Sequence, residues 1–359
     1  MKRQIQLRTY EGNQTHCDAF FKDYEVLDLY IAPKDPRNRG KLKKRSEMIC
    51  RFCGKKHPET TFVSKPHIIS RLFGNNAGIS DFECDKCNNH FSKFETSTAD
   101  FLGVNRSIYS LGKEKIPTFK APDGSIEARG SEIYGNEAVE ISAKMPGLIT
   151  SLTDTGRIEM QVKGNSYIPL NVYKSLLKIA LTRMPESEFI NYKLALAFLM
   201  KDLNNEYFSF FATQVLRSQI GGEVVTPYCI LFNKKDATSD LPTHIFQLYY
   251  QDSCLQLHLP YRNGDRQLLE IENMVIPLCP PFVVTSENLP GRANYEVLDL
   301  SLSEKKVGEV KKMYVEFDKN TIQEGIPVDI DKGMIGDKKF DPNEIFTIIF
   351  ARDEPGKSK

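Results

Sequence analysis

Two Cys-x2-Cys pairs, Cys50/Cys53 and Cys84/Cys87, face each other across thirty residues in the stretch CRFCGKKHPETTFVSKPHIISRLFGNNAGISDFECDKCNNHF. No other feature of the 359-residue chain limits its folding so tightly. Each pair suits a tight knuckle, and two knuckles close a tetrahedral Zn²⁺ site. Four thiolates leave the metal no open position, so this site staples the chain and does no chemistry itself. The excursion between the knuckles is free to carry a second function. The remaining cysteines, Cys17, Cys229, Cys254 and Cys279, are scattered and are expected as small buried hydrophobes.

The excursion holds His57 and His67, and Asn88 follows directly on Cys87. His57 lies in the polar run GKKHPE and reads as an exposed turn residue. His67 lies in TTFVSKPHII, whose β-branched and aromatic residues suit a strand. FGNNAGISD has loop composition. CDKCNNHFSKFETSTADFLG reads as a helix, with Phe91, Phe94, Phe101 and Leu102 at roughly helical spacing and Gly103 as the stop.

The ordered set Cys50, Cys53, His67, Cys84, Cys87 and Asn88 resembles the HNH (ββα-metal) endonuclease family, in its zinc-bearing four-cysteine branch that includes endonuclease VII. PHIIS, then GN, then ECDKCNNHF is also similar to bacterial HNH proteins with an HIIP…G…CD-x-CN pattern. The resemblance covers about residues 46–105. It implies a hydrolase of phosphodiester bonds in DNA, with RNA left open. It further implies that His67 is the base that activates water, and that Asn88 offers its carbonyl oxygen to a catalytic Mg²⁺ or Mn²⁺. Neutral imidazole can take a proton near neutral pH, and hard cations prefer oxygen ligands. The family's acidic ligand just before the base is replaced here by Pro66, so a carboxylate has to come from elsewhere. Glu95, two helical turns after Asn88 on the same face, is the first candidate, though its position equally suits a solvent-facing helix residue. Glu59, Asp81 and Glu83 stand behind it. His90 reads as a surface or phosphate-binding residue. The loss at Pro66 also motivates a reading from another class, a zinc finger that binds nucleic acid without cutting it.

Net charge is only +1, but it is unevenly spread. KDPRNRGKLKKR, residues 34–45, carries seven basic residues against one acidic. Such a run is most often a solvated loop. Its place just before the first knuckle makes Lys41, Lys43, Lys44 and Arg45 candidates for a phosphate-contacting arm. Hydrophobic content of 40% and charged content of 26% are ordinary for a globular protein. No apolar run approaches the ~18 residues that span a bilayer, and the first residues lack an apolar signal core. A cytoplasmic protein without membrane contact is therefore expected.

The chain reads as an α+β protein: N-terminal strands and basic loop over 1–45, the ββα-metal zinc module over 46–110, a larger α+β domain with a mostly antiparallel sheet over 111–350, and a disordered tail over 351–359. RIEMQVKGNSYIPL suggests a hairpin about Lys163–Asn165, and PLNVYKSLLKIALTRM an amphipathic helix ended by Pro185. Lys174, Lys178 and Arg183 are expected on its solvated face. ESEFINYKLALAFLMKDL reads as a second helix. The large domain carries no recognisable catalytic motif and is expected to confer specificity or sensing, toward a small ligand or modified DNA. A homo-oligomer is compatible with the sequence. The resemblance also permits a role in bacterial defence against phage or in restriction.

Overall fold

The computed structural model describes residues 4–8, 20–38, 42–110, 115–132, 135–152, 157–200, 213–259, 262–269, 273–279, 294–316, 328–329, 334–335, 338–339 and 347–351. Cys17, Lys41 and the tail after Ala351 lie outside them. In chain order the elements begin with β1 (Gln4–Arg8), β2 (Tyr24–Ile31), α1 (Asp85–Leu102) and α2 (Asn105–Ile108). Five strands follow: β3 (Phe119–Lys120), β4 (Ile126–Ser131), β5 (Gly135–Ala143), β6 (Ile149–Leu152) and β7 (Arg157–Lys163). Then come α3 (Pro169–Arg183), α4 (Glu186–Phe189), α5 (Lys193–Met200), β8 (Gln214–Lys234), β9 (His244–His258), β10 (Asn273–Pro277) and β11 (Asn294–Asp299). The last are β12 (Val310–Glu316), β13 (Val328–Asp329), β14 (Met334–Ile335), β15 (Lys338–Lys339) and β16 (Thr347–Ala351). The class is α+β with largely antiparallel sheets, as the sequence suggests.

Two compact units make up the chain: Met1–Thr98 with Ile168–Lys305, and Ala99–Tyr167 with Lys306–Lys359. In the first, β8 is the spine. β9 pairs along one edge of it, while β2 and β11 share the other edge at opposite ends, all antiparallel. β1 and β10 form a separate parallel pair. Phe20, Tyr24, Phe232, Ile245 and Tyr249 fill the core against this sheet. β9 is buried along nearly its whole length, polar residues such as Gln247 and Gln256 included, and these two hydrogen-bond each other inside. The second unit holds three antiparallel sheets: β12-β7-β6 and β16-β5-β4-β3, around Phe119, Ile126, Val139, Ile141 and Met160, and the short β13-β14-β15.

Four local expectations change. β7 pairs with β6 and β12, so no hairpin turns at Lys163–Asn165. The second helix breaks into α4, a 3₁₀ turn and α5. TTFVSKPHII forms no strand: its only ladder contact is a bridge between His67 and Ile79. Its backbone is claimed by side chains instead, since the Asp85 carboxylate accepts from the backbone N–H groups of Val63 and Ser64 and from the hydroxyls of Thr61 and Ser64. Finally, α3 is buried almost all round, Lys174 and Lys178 included, so it has no solvated basic face. Gly103 ends α1 as expected, in the left-handed conformation at φ 57°.

Candidate active site

The two knuckles are built by backbone geometry. The Cys50 N–H donates to Lys55 O, and the Gly54 N–H, at φ 70°, turns back to Cys50 O. The second pair opens α1, where the Asn88 N–H donates to Cys84 O. All four sulfurs lie within 4.8 Å of one another, and the pairs Cys50–Cys87 and Cys53–Cys84 stand at 3.7 Å. A tetrahedron with Zn–S bonds of about 2.3 Å has edges of about 3.8 Å. Two of the six sulfur–sulfur distances thus match a zinc tetrahedron's edge, the four are close enough to share one ion, and none is in a disulfide. The Cys87 thiol draws the Cys50 pKa down to about 5, while burial lifts Cys53 to about 11 and the bond to Cys50 pushes Cys87 up, so a metal would have to displace the remaining thiol protons.

His67 lies on the loop between the knuckles, which is folded back on itself. The Ile68 N–H donates to Gly78 O and the Ser80 N–H to Pro66 O, flanking the His67–Ile79 bridge. Asn75, fully buried, braces the loop from within: its Nδ2 donates to Ile69 O and Gly78 O, and its Oδ1 accepts from the N–H groups of Ala77 and Gly78. The sheet supports the loop from outside. Phe73 packs edge-on to Tyr250, and a Cβ at Gly78 would overlap the Tyr30 hydroxyl. The His67 ring is partly buried, with Nδ1 enclosed and without a hydrogen-bond partner. Burial, then the charges of Arg71 and Lys178, lower its pKa to about 4. The imidazole is therefore neutral at physiological pH.

Beside the loop lies a buried ion pair. Lys178 Nζ stands 2.8 Å from Glu83 Oε2, whose side chain is 0% exposed. The same ammonium donates to His67 O at 3.3 Å and lies 5.8 Å from the Phe91 ring centre. Neither Glu83 oxygen has a well-angled hydrogen bond, so the 2.8 Å contact with Lys178 holds as an ion pair, and burial raises the Glu83 pKa against the opposing pull of Lys178. Ser70, Phe91, Phe94, Glu95, Ser175, Lys178 and Ile179 line a small pocket here. Glu95 is exposed at its rim and is close enough for Glu83 to feel its charge. Asn88 lies one turn before Phe91 and two before Glu95, on the same stripe of α1.

α3 holds this arrangement along its length. Asn171 donates to Ser97 Oγ, Lys174 stands 5.5 Å from the Phe94 ring, and Lys178 meets Phe91. At its end, Arg51, from inside the first knuckle, donates to the carbonyls of Leu181, Thr182 and Met184 at 3.1, 2.9 and 2.9 Å. The contacts run in opposite chain directions, so α1 and α3 pack antiparallel.

Residues 50–99 match a protein family described as HNH endonuclease. This segment is an HNH domain. No curated protein and no solved structure matches the chain. The HNH domain occupies the stretch from the first knuckle to the last turns of α1, so the Cys₄ cluster, His67, Asn88 and Glu95 all belong to it. Among the described residues, the four cysteines are the only cluster of metal-binding side chains close enough to share an ion. No helix among them is long and apolar enough to cross a membrane.

The basic arm stands next to the HNH domain. Lys43, Lys44 and Arg45 are exposed, and the Lys43 N–H donates to Asp81 Oδ2 across the second knuckle's approach. Arg37 is engaged by Asp35. His57 is exposed in a turn, as expected, but His90 is no surface or phosphate-binding residue: its Nε2 donates to Leu199 O, 2.8 Å away, and so it serves α5. The sequence reading had no route to Lys178, which approaches His67 from 111 residues downstream. Arg51 and Asn75 also went unremarked. Asn75 had one legible signal, a short polar residue beside Gly74 in a loop rich in small residues.

Proposed function

We propose that the protein is a metal-dependent endonuclease that hydrolyses phosphodiester bonds in DNA. The observation that carries this reading is the neutral His67 imidazole, with Nδ1 enclosed and unpartnered, on a loop of the HNH domain that the Cys₄ cluster pins at both ends. A neutral imidazole takes a proton from water as the water attacks phosphorus, and the strand's leaving oxygen departs. Zinc fits the four thiolates and serves structure. Asn88 and Glu95 are the residues we assign to a catalytic Mg²⁺ or Mn²⁺, because an amide oxygen and a carboxylate on one helix stripe are the hard donors such ions take. That ion, when bound, stabilises negative charge on the phosphate. Lys43, Lys44 and Arg45, with Lys41 before them, steer the duplex through its phosphates. The larger sheet region would recognise a small ligand or a DNA modification, and defence against phage DNA is the setting we propose.

The test is His67→Ala in the zinc-loaded full chain. Plasmid nicking with Mg²⁺ or Mn²⁺ should disappear while zinc content and thermal stability hold. Equal cleavage by the variant refutes the assignment, and a parent that binds plasmid yet never nicks it supports the non-catalytic zinc finger that Pro66 suggests.

A further inference from the structure

The bridge between His67 and Ile79 turns both backbone groups of His67, its N–H and its C=O, away from the loop. Its two hydrogen bonds join the neighbouring residues, Ile68 to Gly78 and Ser80 to Pro66. In such a non-hydrogen-bonded pair the carbonyl of the central residue points away from the partner. The His67 carbonyl therefore needs a donor from outside the loop, and Lys178 Nζ provides it at 3.3 Å. Lys178 is itself held by Glu83 at 2.8 Å, and Glu83 immediately precedes the zinc ligand Cys84.

We propose that Lys178 is a positioning residue of the HNH site: its ammonium, fixed by Glu83, anchors the His67 carbonyl and so sets the backbone from which the imidazole projects. The proposal rests on the reading of His67 as the base. A line of contacts then runs from the Cys₄ cluster through Glu83 and Lys178 to His67, and α3 completes a site whose other parts all come from residues 50–99.

Stability alone gives little reason for the pair. Two charges lose much hydration when buried, and apolar residues of similar volume usually hold a fold as well or better. Phe91, Phe94 and Ile179 already supply an apolar contact between α1 and α3. The ion pair contributes what an apolar pair cannot, a donor at the His67 carbonyl. Displacing a reacting group by about 1 Å can cost about a hundredfold in rate.

That difference makes the test. Lys178→Met alone strands a buried carboxylate and should lose both stability and activity. Glu83→Met with Lys178→Met restores an uncharged interface, so zinc content and thermal midpoint should return to the parent's. With Lys178 only structural, plasmid cleavage would return as well. With Lys178 positioning, kcat stays about a hundredfold down while KM moves less than about threefold, and exchange of the Ile68 and Ser80 amides with solvent deuterium quickens about tenfold. Recovery of kcat in the double variant overturns the proposal, as does failure of that variant to regain zinc and stability. Should the parent cut no nucleic acid under any metal, the nuclease reading fails, and amide exchange still decides: unchanged protection at Ile68 and Ser80 overturns the positioning role.

Discussion

Arg51→Ala should destabilise the chain strongly although it removes no zinc ligand. The guanidinium satisfies the carbonyls of Leu181, Thr182 and Met184 at the end of α3, where the helix has no internal donors left, and it lies between the rings of Phe82 and Phe189 at 4.6 and 4.7 Å. Leu181, Thr182 and Met184 are all buried, so water replaces the lost donor poorly. A hydrogen bond from a charged donor contributes about 1.5–3 kcal/mol, and a cation at a helix C-terminus about 0.3–1 more. The three bonds share one side chain and do not add, and the pair with Glu186 counts for almost nothing because that carboxylate is 83% exposed. The whole effect should be about 2–4 kcal/mol. Urea unfolding with an m-value of about 2 kcal/mol/M would show it as a midpoint lowered by about 1–2 M. Arg51→Lys keeps the charge but not the fork, and should recover less than half. Zinc content should stay at one ion per chain, since no ligand is touched. A loss below about 1 kcal/mol would refute the reasoning, because it would mean that the end of α3 does not depend on the knuckle.

Three further outcomes follow from the same geometry. Chelation should release one zinc per chain and unfold the HNH domain, with cleavage regained only when Zn²⁺ is restored alongside Mg²⁺; a chain that keeps its fold and activity without zinc contradicts the Cys₄ site. The His67 imidazole should not titrate between pH 5.5 and 8 by NMR, because its pKa lies near 4, and Arg71→Ala should raise that pKa since a like charge no longer opposes protonation; a midpoint near the usual 6.5 would place the ring in water. Replacing Lys41, Lys43, Lys44 and Arg45 with Gln should flatten the slope of log affinity against log salt by up to about four units while thermal stability barely moves; an unchanged slope makes the arm a solvated loop.

Legibility in the sequence followed contact range. The Cys-x2-Cys spacing specifies a metal cluster because each knuckle closes over four residues, and α1 was legible to its last turn because helical periodicity and Gly103 are local signals. The strand expected at TTFVSKPHII fails for a non-local reason: Asp85, more than twenty residues on, claims the backbone N–H groups of Val63 and Ser64. Lys174 and Lys178 were misplaced because a lysine on a helix is solvated by default. Lys174 instead lies between the rings of Phe94 and Phe198, and Lys178 meets Glu83; both partners are distant in sequence, and periodicity carries no information about them.

The antiparallel seating of α3 on α1 bears on the order of synthesis. On a ribosome the knuckles and α1 emerge first, and α3 follows roughly seventy residues later. At about 5–20 residues per second that interval lasts several seconds. Through it Phe91 and Phe94 have no partner helix, and the His67 carbonyl has no ammonium to hold it. A nascent chain therefore carries the four cysteines, His67 and the basic run before it carries α3. If alignment of His67 needs α3, the HNH domain is completed only about half-way through translation, once residues 169–183 have followed α1 out of the ribosome.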